Sequence, residues 1–348
     1  MKMTRGRSKV LLPLMTLAAV LLTAQVAAAT LTVCASGCQY STIQSAIDHA
    51  ANNEVIFIEK GHYFETLNTK GKTLTLQGAD TRQVIIDGNG RGTVITIPFG
   101  AELVTIKYVT IMRGYGAGGG LSVGGPLDLR HSLLVSNHST TSGGGIAVNL
   151  LGDNVPVTIA HSTITNNEAA ASGGGIFGSG EASIVAITDC TISNNTAGQE
   201  GGGIYLGFDV SQLAVADSSI IGNSARSGGG VAIGSGVPDN TVAISHAVFA
   251  GNNATQDSGG LAIAGAATVT NTVFTHNTAG TNGGGFSTYF GFRGGGVTSV
   301  SGVYVIENTA GDHGGGIFND SELSGTGLMA ADNQPDNCFP NQGAVGCP

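Results

Sequence analysis

Seven positions lie six residues ahead of a recurring asparagine, and they read His131, His161, Asp189, Asp217, His246, Asn271 and Gly302. Imidazoles beside carboxylates in one stacked column invite a metal centre or an acid–base pair. His131 and His161 are expected to be spatial neighbours, and a bound metal would be sought there first. The same residue types also tolerate a left-handed backbone. The column falls between two predicted strands, where a turn is needed, so turn chemistry is the better reading and no metal site is assigned. Cys190 occupies a repeat position held elsewhere by Ser162, Ser218 and Ala247, which makes it a buried small residue rather than a nucleophile.

The elements that would position these side chains follow from the asparagines themselves. Asn137, Asn167, Asn195, Asn223, Asn252, Asn277, Asn308 and Asn333 each follow an apolar residue by three positions. After the first seven, a Gly-Gly run leads to Ile146, Ile176, Ile204, Val231, Leu261, Phe286 and Ile317, at a gap of 9 in six cases and 8 in one. The gap onward to the next asparagine varies from 16 to 22, so insertions collect on one side of the repeat. Val157-Thr-Ile159, Val185-Ala-Ile187, Leu213-Ala-Val215 and Val242-Ala-Ile244 alternate with period two, the mark of a half-buried strand. Three short strands per repeat make one coil of an all-β, single-stranded parallel β-helix, a solenoid of about 11 coils stacked roughly 4.8 Å apart. Equivalent asparagines then form a buried ladder of mutually hydrogen-bonded amides. The glycines allow close backbone approach at the next bend.

Residues 1–29 read as a signal peptide: Lys2, Arg5, Arg7 and Lys9 precede an apolar run, with Ala27-Ala28-Ala29 as the cleavage site. The expected organisation beyond it is an N-terminal cap and first coils over 30–136, repeat coils over 137–333, and a disulfide cap over 334–348. Cys34 with Cys38, and Cys338 with Cys347, would close short loops at the two ends of an exported chain. Apolar spacing at Ile43, Ala46, Ile47 and Ala50 after Ser41-Thr42 predicts a short helix capping the open end. Strands are expected at Val55–Glu59, Thr73–Gln77, Val84–Asp87, Thr93–Ile97 and Val104–Met112. Removing the signal's four basic residues leaves 23 acidic side chains against 10 basic ones, and no lysine follows Lys107. Such a chain is a poor partner for nucleic acid or an anionic membrane.

Thr42-Ile-Gln44-Ser-Ala-Ile47 followed by Gly61-x-Tyr63-x-Glu65 resembles the first segment of pectin-lyase-like right-handed β-helix proteins, especially pectin methylesterases. The Gly-Gly-Gly-Ile runs paired with Phe-x-x-Asn, as at Phe249 to Asn252 and Phe274 to Asn277, resemble the polymorphic outer-membrane-protein repeat. The first resemblance implies a right-handed solenoid. The second implies an exported surface adhesin, often held by a C-terminal β-barrel. The chain reaches Pro348 without a barrel, so membrane attachment is not expected without another factor, and an extracellular or outer-membrane-associated location is.

The superfamily's enzymes carry recognisable groups. The Asp-Phe-Ile-Phe-Gly-like strand of pectin methylesterases is missing, tryptophan is absent, and Asp312-His313-Gly314 only faintly echoes a polygalacturonase turn. No set of carboxylates converging for acid–base cleavage can be assembled, so no catalytic residue and no cofactor is assigned. Binding is read instead from aromatics in a chain that has few. Phe177 and Tyr205 should point outward in adjacent coils, and the longer loops carry Phe208 and the run Tyr289, Phe290, Phe292, Arg293. Stacked exposed aromatics suit sugar rings or a protein partner; they would otherwise fold down to pin their own loops. The reading is a secreted or cell-surface interaction protein, adhesin-like, that binds a glycan or a host or cell-surface protein. The alternative is a polysaccharide-active lyase, hydrolase or esterase of the pectin-lyase-like superfamily.

Overall fold

The computed structural model describes residues 30–149, 155–180, 183–207, 210–234, 242–289 and 297–339. Residues 1–29, expected from sequence to be a signal peptide, lie outside them, as do Phe208, Phe290, Phe292, Arg293 and Cys347. Among the described residues every strand pair is parallel, and the strands stack into sheets of 12, 11, 8 and 11 members that run along one solenoid. One coil shows the order. Val155–Ala160 lies on the 12-stranded first face and Thr163–Thr165 on the 11-stranded second face. Glu168–Ala169 belongs to the 8-stranded face, and Ile176–Ser179 to an 11-stranded face that follows the glycines. The eight-membered sheet is an addition to the three strands per coil expected from the alternation. Its members are two-residue strands, seven of them just after an asparagine and the first, Tyr115–Gly116, just after Gly114, too short to show a period-two pattern.

Register follows the columns read from sequence. Ile146, Ile176, Ile204, Val231, Leu261, Phe286 and Ile317 pair in succession, each 1% exposed or less. No coil is wide enough to bury these side chains by itself. They are covered by the coils above and below and by facing residues such as Ile164, Ile192, Ile220, Phe249 and Phe274. Phe249 and Phe274 stack at 4.7 Å within this core.

The asparagine amides fill their hydrogen-bonding capacity. The Oδ1 of Asn167 accepts from the backbone N–H of Asn137 at 3.1 Å and from its Nδ2 at 3.0 Å. The Nδ2 of Asn167 donates to Asn195 Oδ1 at 3.0 Å and to the Leu134 carbonyl at 3.1 Å. Two donors and two acceptor sites are all that an amide has. The N–H of Gly114 closes one end of the ladder on Asn137 Oδ1 at 2.9 Å. At the other end, Asn333 donates its Nδ2–H to Asn337 Oδ1 at 2.9 Å, a terminal member that the repeat spacing did not mark. The glycines sit where the next coil leaves no room: a Cβ on Gly230 would meet the Gly260 carbonyl oxygen at 2.4 Å.

The cap forms as the spacing predicts, as a helix over Ile43–His49 whose Ile43, Ala46 and Ile47 join the core. The opening motif has a direct physical role. Glu65 accepts the Ile43 and Gln44 N–H groups at 2.9 Å each, satisfying free donors of the helix N-terminus. The Gln44 amide pairs with both backbone groups of Asn68 and so covers the first strand of the fourth face. The Lys72 ammonium donates to the Ile47, Asp48 and Ala50 carbonyls at the other helix end. Val104–Met112 is corrected: it is two strands, Val104–Lys107 and Thr110–Met112, broken at Tyr108, whose φ is +59°. Tyr108 is one coil ahead of His131 in the same turn column, a link hidden by Gly114 standing where an asparagine would mark the coil. Cys34 and Cys38 are bonded to each other, and Cys338 is disulfide-bonded. Among the described residues no helix is long and apolar enough to cross a membrane.

Candidate functional site

The histidine–aspartate column is made of turns. His131, His161, Asp189, Asp217, His246 and Asn271 have φ between +45° and +51°, and Gly302 +62°. His131 and His161 are neighbours, with rings stacked at 4.8 Å, and Tyr108 extends the stack at 5.0 Å. His161 Nδ1 lies 3.5 Å from Asp189 Oδ2, both half-exposed. Among the described residues no three His, Cys, Asp or Glu side chains come together as metal ligands. Cys190 is buried, its thiol pushed up to about 11 chiefly by burial, with Sγ against the Thr188 and Ile159 carbonyls.

A second polar cluster, not apparent in the sequence, joins three successive N-terminal coils. Asp87 is fully buried and accepts from His62 Nε2 at 2.6 Å, from Arg113 Nε at 2.9 Å, from Arg113 Nη2, and from the Asn89 N–H at 2.8 Å. Burial alone would raise this carboxyl, but the bonds from Arg113, His62 and Asn89 outweigh it and hold it below the ordinary value. The carboxylate is committed on both oxygens, so the cluster is a tie between coils.

The outer surface of the fourth face holds a groove of about 360 Å³. Because Ile176 and Ile204 point into the core, Phe177 and Tyr205 point out, and their rings stack at 5.7 Å. In the next two coils the same outward position is Ala232 and then Ala262. Tyr289 rises on the far side, outward of Ala264 in the neighbouring strand, and packs toward Phe318 at 6.1 Å. Two aromatic ridges therefore flank a floor of Ala232, Gly234, Ala262 and Ala264. From the Tyr205 coil to the Tyr289 coil is three strand spacings, about 14 Å. A smaller hollow of about 250 Å³ adjoins on the other side of Phe177, over Ser122, Ala147 and Asn149. Small and aromatic surfaces thus alternate along the solenoid axis.

The glycine turns supply the polar edge of the groove: Glu200, Ser227, Asp257 and Ser258. Burial and then the Glu200 charge and hydrogen bond push the Tyr205 phenol up to about 12, so it stays a protonated donor. Burial likewise raises the Tyr289 phenol, whose oxygen lies 3.3 Å from Ser258 Oγ. Ser258 is buried with φ at +64°, at a turn position where Gly143, Gly173, Gly201, Gly228, Gly283 and Gly314 carry the same backbone. A non-glycine residue there costs about 1–2 kcal/mol, and its hydroxyl orients a groove wall. Asp257 is held through Oδ1 by the Asn282 N–H at 3.2 Å, Asn282 Nδ2 at 3.1 Å and Thr281 Oγ1.

Of the binding residues expected from sequence, Phe177, Tyr205 and Tyr289 are placed on this surface, half-buried, with the first two rings stacked on each other. Phe208, Phe290, Phe292 and Arg293 lie outside the described residues. Glu200, Asp257 and Ser258 were not expected. A signal existed, since the residue before the glycine run reads Ser142, Ser172, Glu200, Ser227, Asp257, Asn282, His313, and Ser258 interrupts that run.

A family model described as "Right handed beta helix region" matches residues 127–310. Among solved structures, a pectin methylesterase from carrot is 12% identical, with coverage of 94% of this chain and 90% of that one, at a TM-score of 0.35. The A-module of the Azotobacter vinelandii mannuronan C-5 epimerase AlgE6 is 14% identical, covering 84% and 95%, at 0.34. The pectin methylesterase PemA from Erwinia chrysanthemi is 11% identical, covering 89% and 93%, at 0.33. No curated protein matches the chain.

Proposed function

This chain belongs to the right-handed β-helix family, and on that premise we propose that it is an exported, glycan-binding interaction protein, adhesin-like and non-catalytic. A solenoid of this kind serves many activities, so function must be argued from what its surface carries. The observation that carries the proposal is the groove between the Phe177–Tyr205 ridge and Tyr289, with its floor of alanine and glycine. Flat aromatic faces offer apolar contact to a sugar ring, while the phenol, serine and carboxylate groups at the edge meet its hydroxyls. The repeated alternation of ridge and hollow along the axis suits a polymer rather than a single sugar. Export rests on the signal-like first 29 residues, and the surface role on the resemblance of the glycine–asparagine repeat to polymorphic outer-membrane-protein repeats.

The test is retention on a panel of neutral, acidic and amino polysaccharides, with products assayed in parallel. Tyr205→Ala and Tyr289→Ala should each lower retention at least severalfold, with Tm moving little because both rings lie outside the core. Unchanged retention in both variants removes the proposal. New reducing ends or unsaturated products from the wild-type chain would replace it with the polysaccharide-active enzyme.

A further inference from the structure

Resting on the glycan-binding reading, we infer that the groove is built for an amino-sugar polymer with free ammonium groups, of the poly-glucosamine type. Its lining holds two carboxylates, Glu200 and Asp257, and no lysine, arginine or histidine. Arg226 is exposed at the same set of turns, but among the described residues it forms no ion pair with either carboxylate. A uronide would bring like charge to this edge, and a neutral sugar would leave both carboxylates partly desolvated without a countercharge. An ammonium group satisfies them.

Spacing and orientation agree with a polymer. Glu200 and Asp257 stand on one edge of the groove two coils apart, about 10 Å at the strand spacing of a stacked sheet. That matches the reach of one disaccharide in an extended chain, so alternate amines can address successive carboxylates. Asp257 is also pre-positioned. Asn282 and Thr281 hold it through Oδ1, leaving Oδ2 without a hydrogen bond among the described residues. Pre-positioning lowers the ordering loss on binding. The Tyr205 and Tyr289 faces add cation–π attraction for the same ammonium groups.

The experiment is calorimetric titration of the full chain at low salt, below the amine pKa. The probes are a glucosamine hexamer, its fully N-acetylated counterpart, a galacturonate hexamer and hexalysine. The glucosamine hexamer should bind at least tenfold tighter than the acetylated one, with little galacturonate or hexalysine binding. Glu200→Gln and Asp257→Asn keep shape and hydrogen-bonding atoms. Combined, they should abolish that preference, with circular dichroism confirming the fold. Equal or tighter binding of the acetylated hexamer overturns this inference and leaves the glycan-binding reading standing. So does a preference that survives both substitutions. Hexalysine binding as tightly as glucosamine would show charge recognition without a sugar and also overturn it. Failure of every saccharide removes the parent reading as well.

Discussion

Replacing Asn223 by alanine removes one rung from the middle of the amide ladder, and the loss can be worked out atom by atom. Asn223 is fully buried. Its Oδ1 accepts from the Asn195 backbone N–H and from Asn195 Nδ2, both at 3.0 Å. Its Nδ2 donates to Asn252 Oδ1 at 3.0 Å and to the Ile192 carbonyl at 2.9 Å. The alanine variant therefore orphans two buried donors and leaves two acceptors with one partner fewer. Each orphaned buried donor costs about 1–3 kcal/mol, so a loss of about 4 kcal/mol is expected even if a little of the site relaxes. Asn223→Asp should not rescue it. Its second oxygen would face the Asn252 oxygen and the Ile192 carbonyl, acceptor against acceptor. The measurement is urea unfolding followed by circular dichroism, with native-state amide exchange reporting the coils on either side, because a solenoid need not unfold in one step. Loss of protection should centre on the Asn195 and Asn223 turns. A change below about 1 kcal/mol, against the magnitude expected for unsatisfied buried amides, would refute the ladder as a source of stability.

Gly230→Ala would place a Cβ 2.4 Å from the Gly260 carbonyl oxygen. Strand separation at that turn should open, and stability should fall by roughly 1–3 kcal/mol in the same urea assay. Cys190→Ser should be nearly neutral, since Ser162 and Ser218 already donate to the equivalent Ala160 and Ala216 carbonyls at 2.8 and 2.7 Å. The wild-type thiol, pushed up to about 11 by burial, should react with a thiol reagent at pH 8 only as fast as the chain opens. Arg113→Ala removes the chief partner of Asp87. Since that carboxyl is held below its ordinary 3.8 in the folded chain, its contribution is present above that pH and is lost as pH falls through the folded value. Without Arg113 the folded value rises, so the acid-unfolding midpoint should move to higher pH, and an unmoved midpoint would contradict the pairing.

What the residues determine by themselves is what repeats. Alternation in Val157-Thr-Ile159 and its copies forces one face inward, and a buried amide at Asn167 has to find partners above and below. Glycine at 230 is required wherever the next backbone comes this close. Each demand is local and recurs in every coil, so coil, ladder and core could be read before any tertiary structure was known. The cap was legible for the same reason, with Thr42 and the apolar spacing of Ile43, Ala46 and Ile47 acting within a single turn. The two-residue strands were not, because two residues carry no period. The strand break at Tyr108 was hidden because Gly114 stands in the asparagine column.

The groove belongs to the tertiary structure. Glu200, Asp257, Ser258 and Tyr289 line one groove only because stacking brings distant residues together, and the coil lengths that set this register vary along the chain. Asp87 likewise meets His62 and Arg113 across 25 and 26 residues of sequence. The imidazoles and carboxylates with the most regular spacing prove to be turn residues, their backbone φ near +50°. Regularity marks what every coil needs in order to stack. The groove lies where successive coils differ, and only the assembled solenoid places those differences side by side.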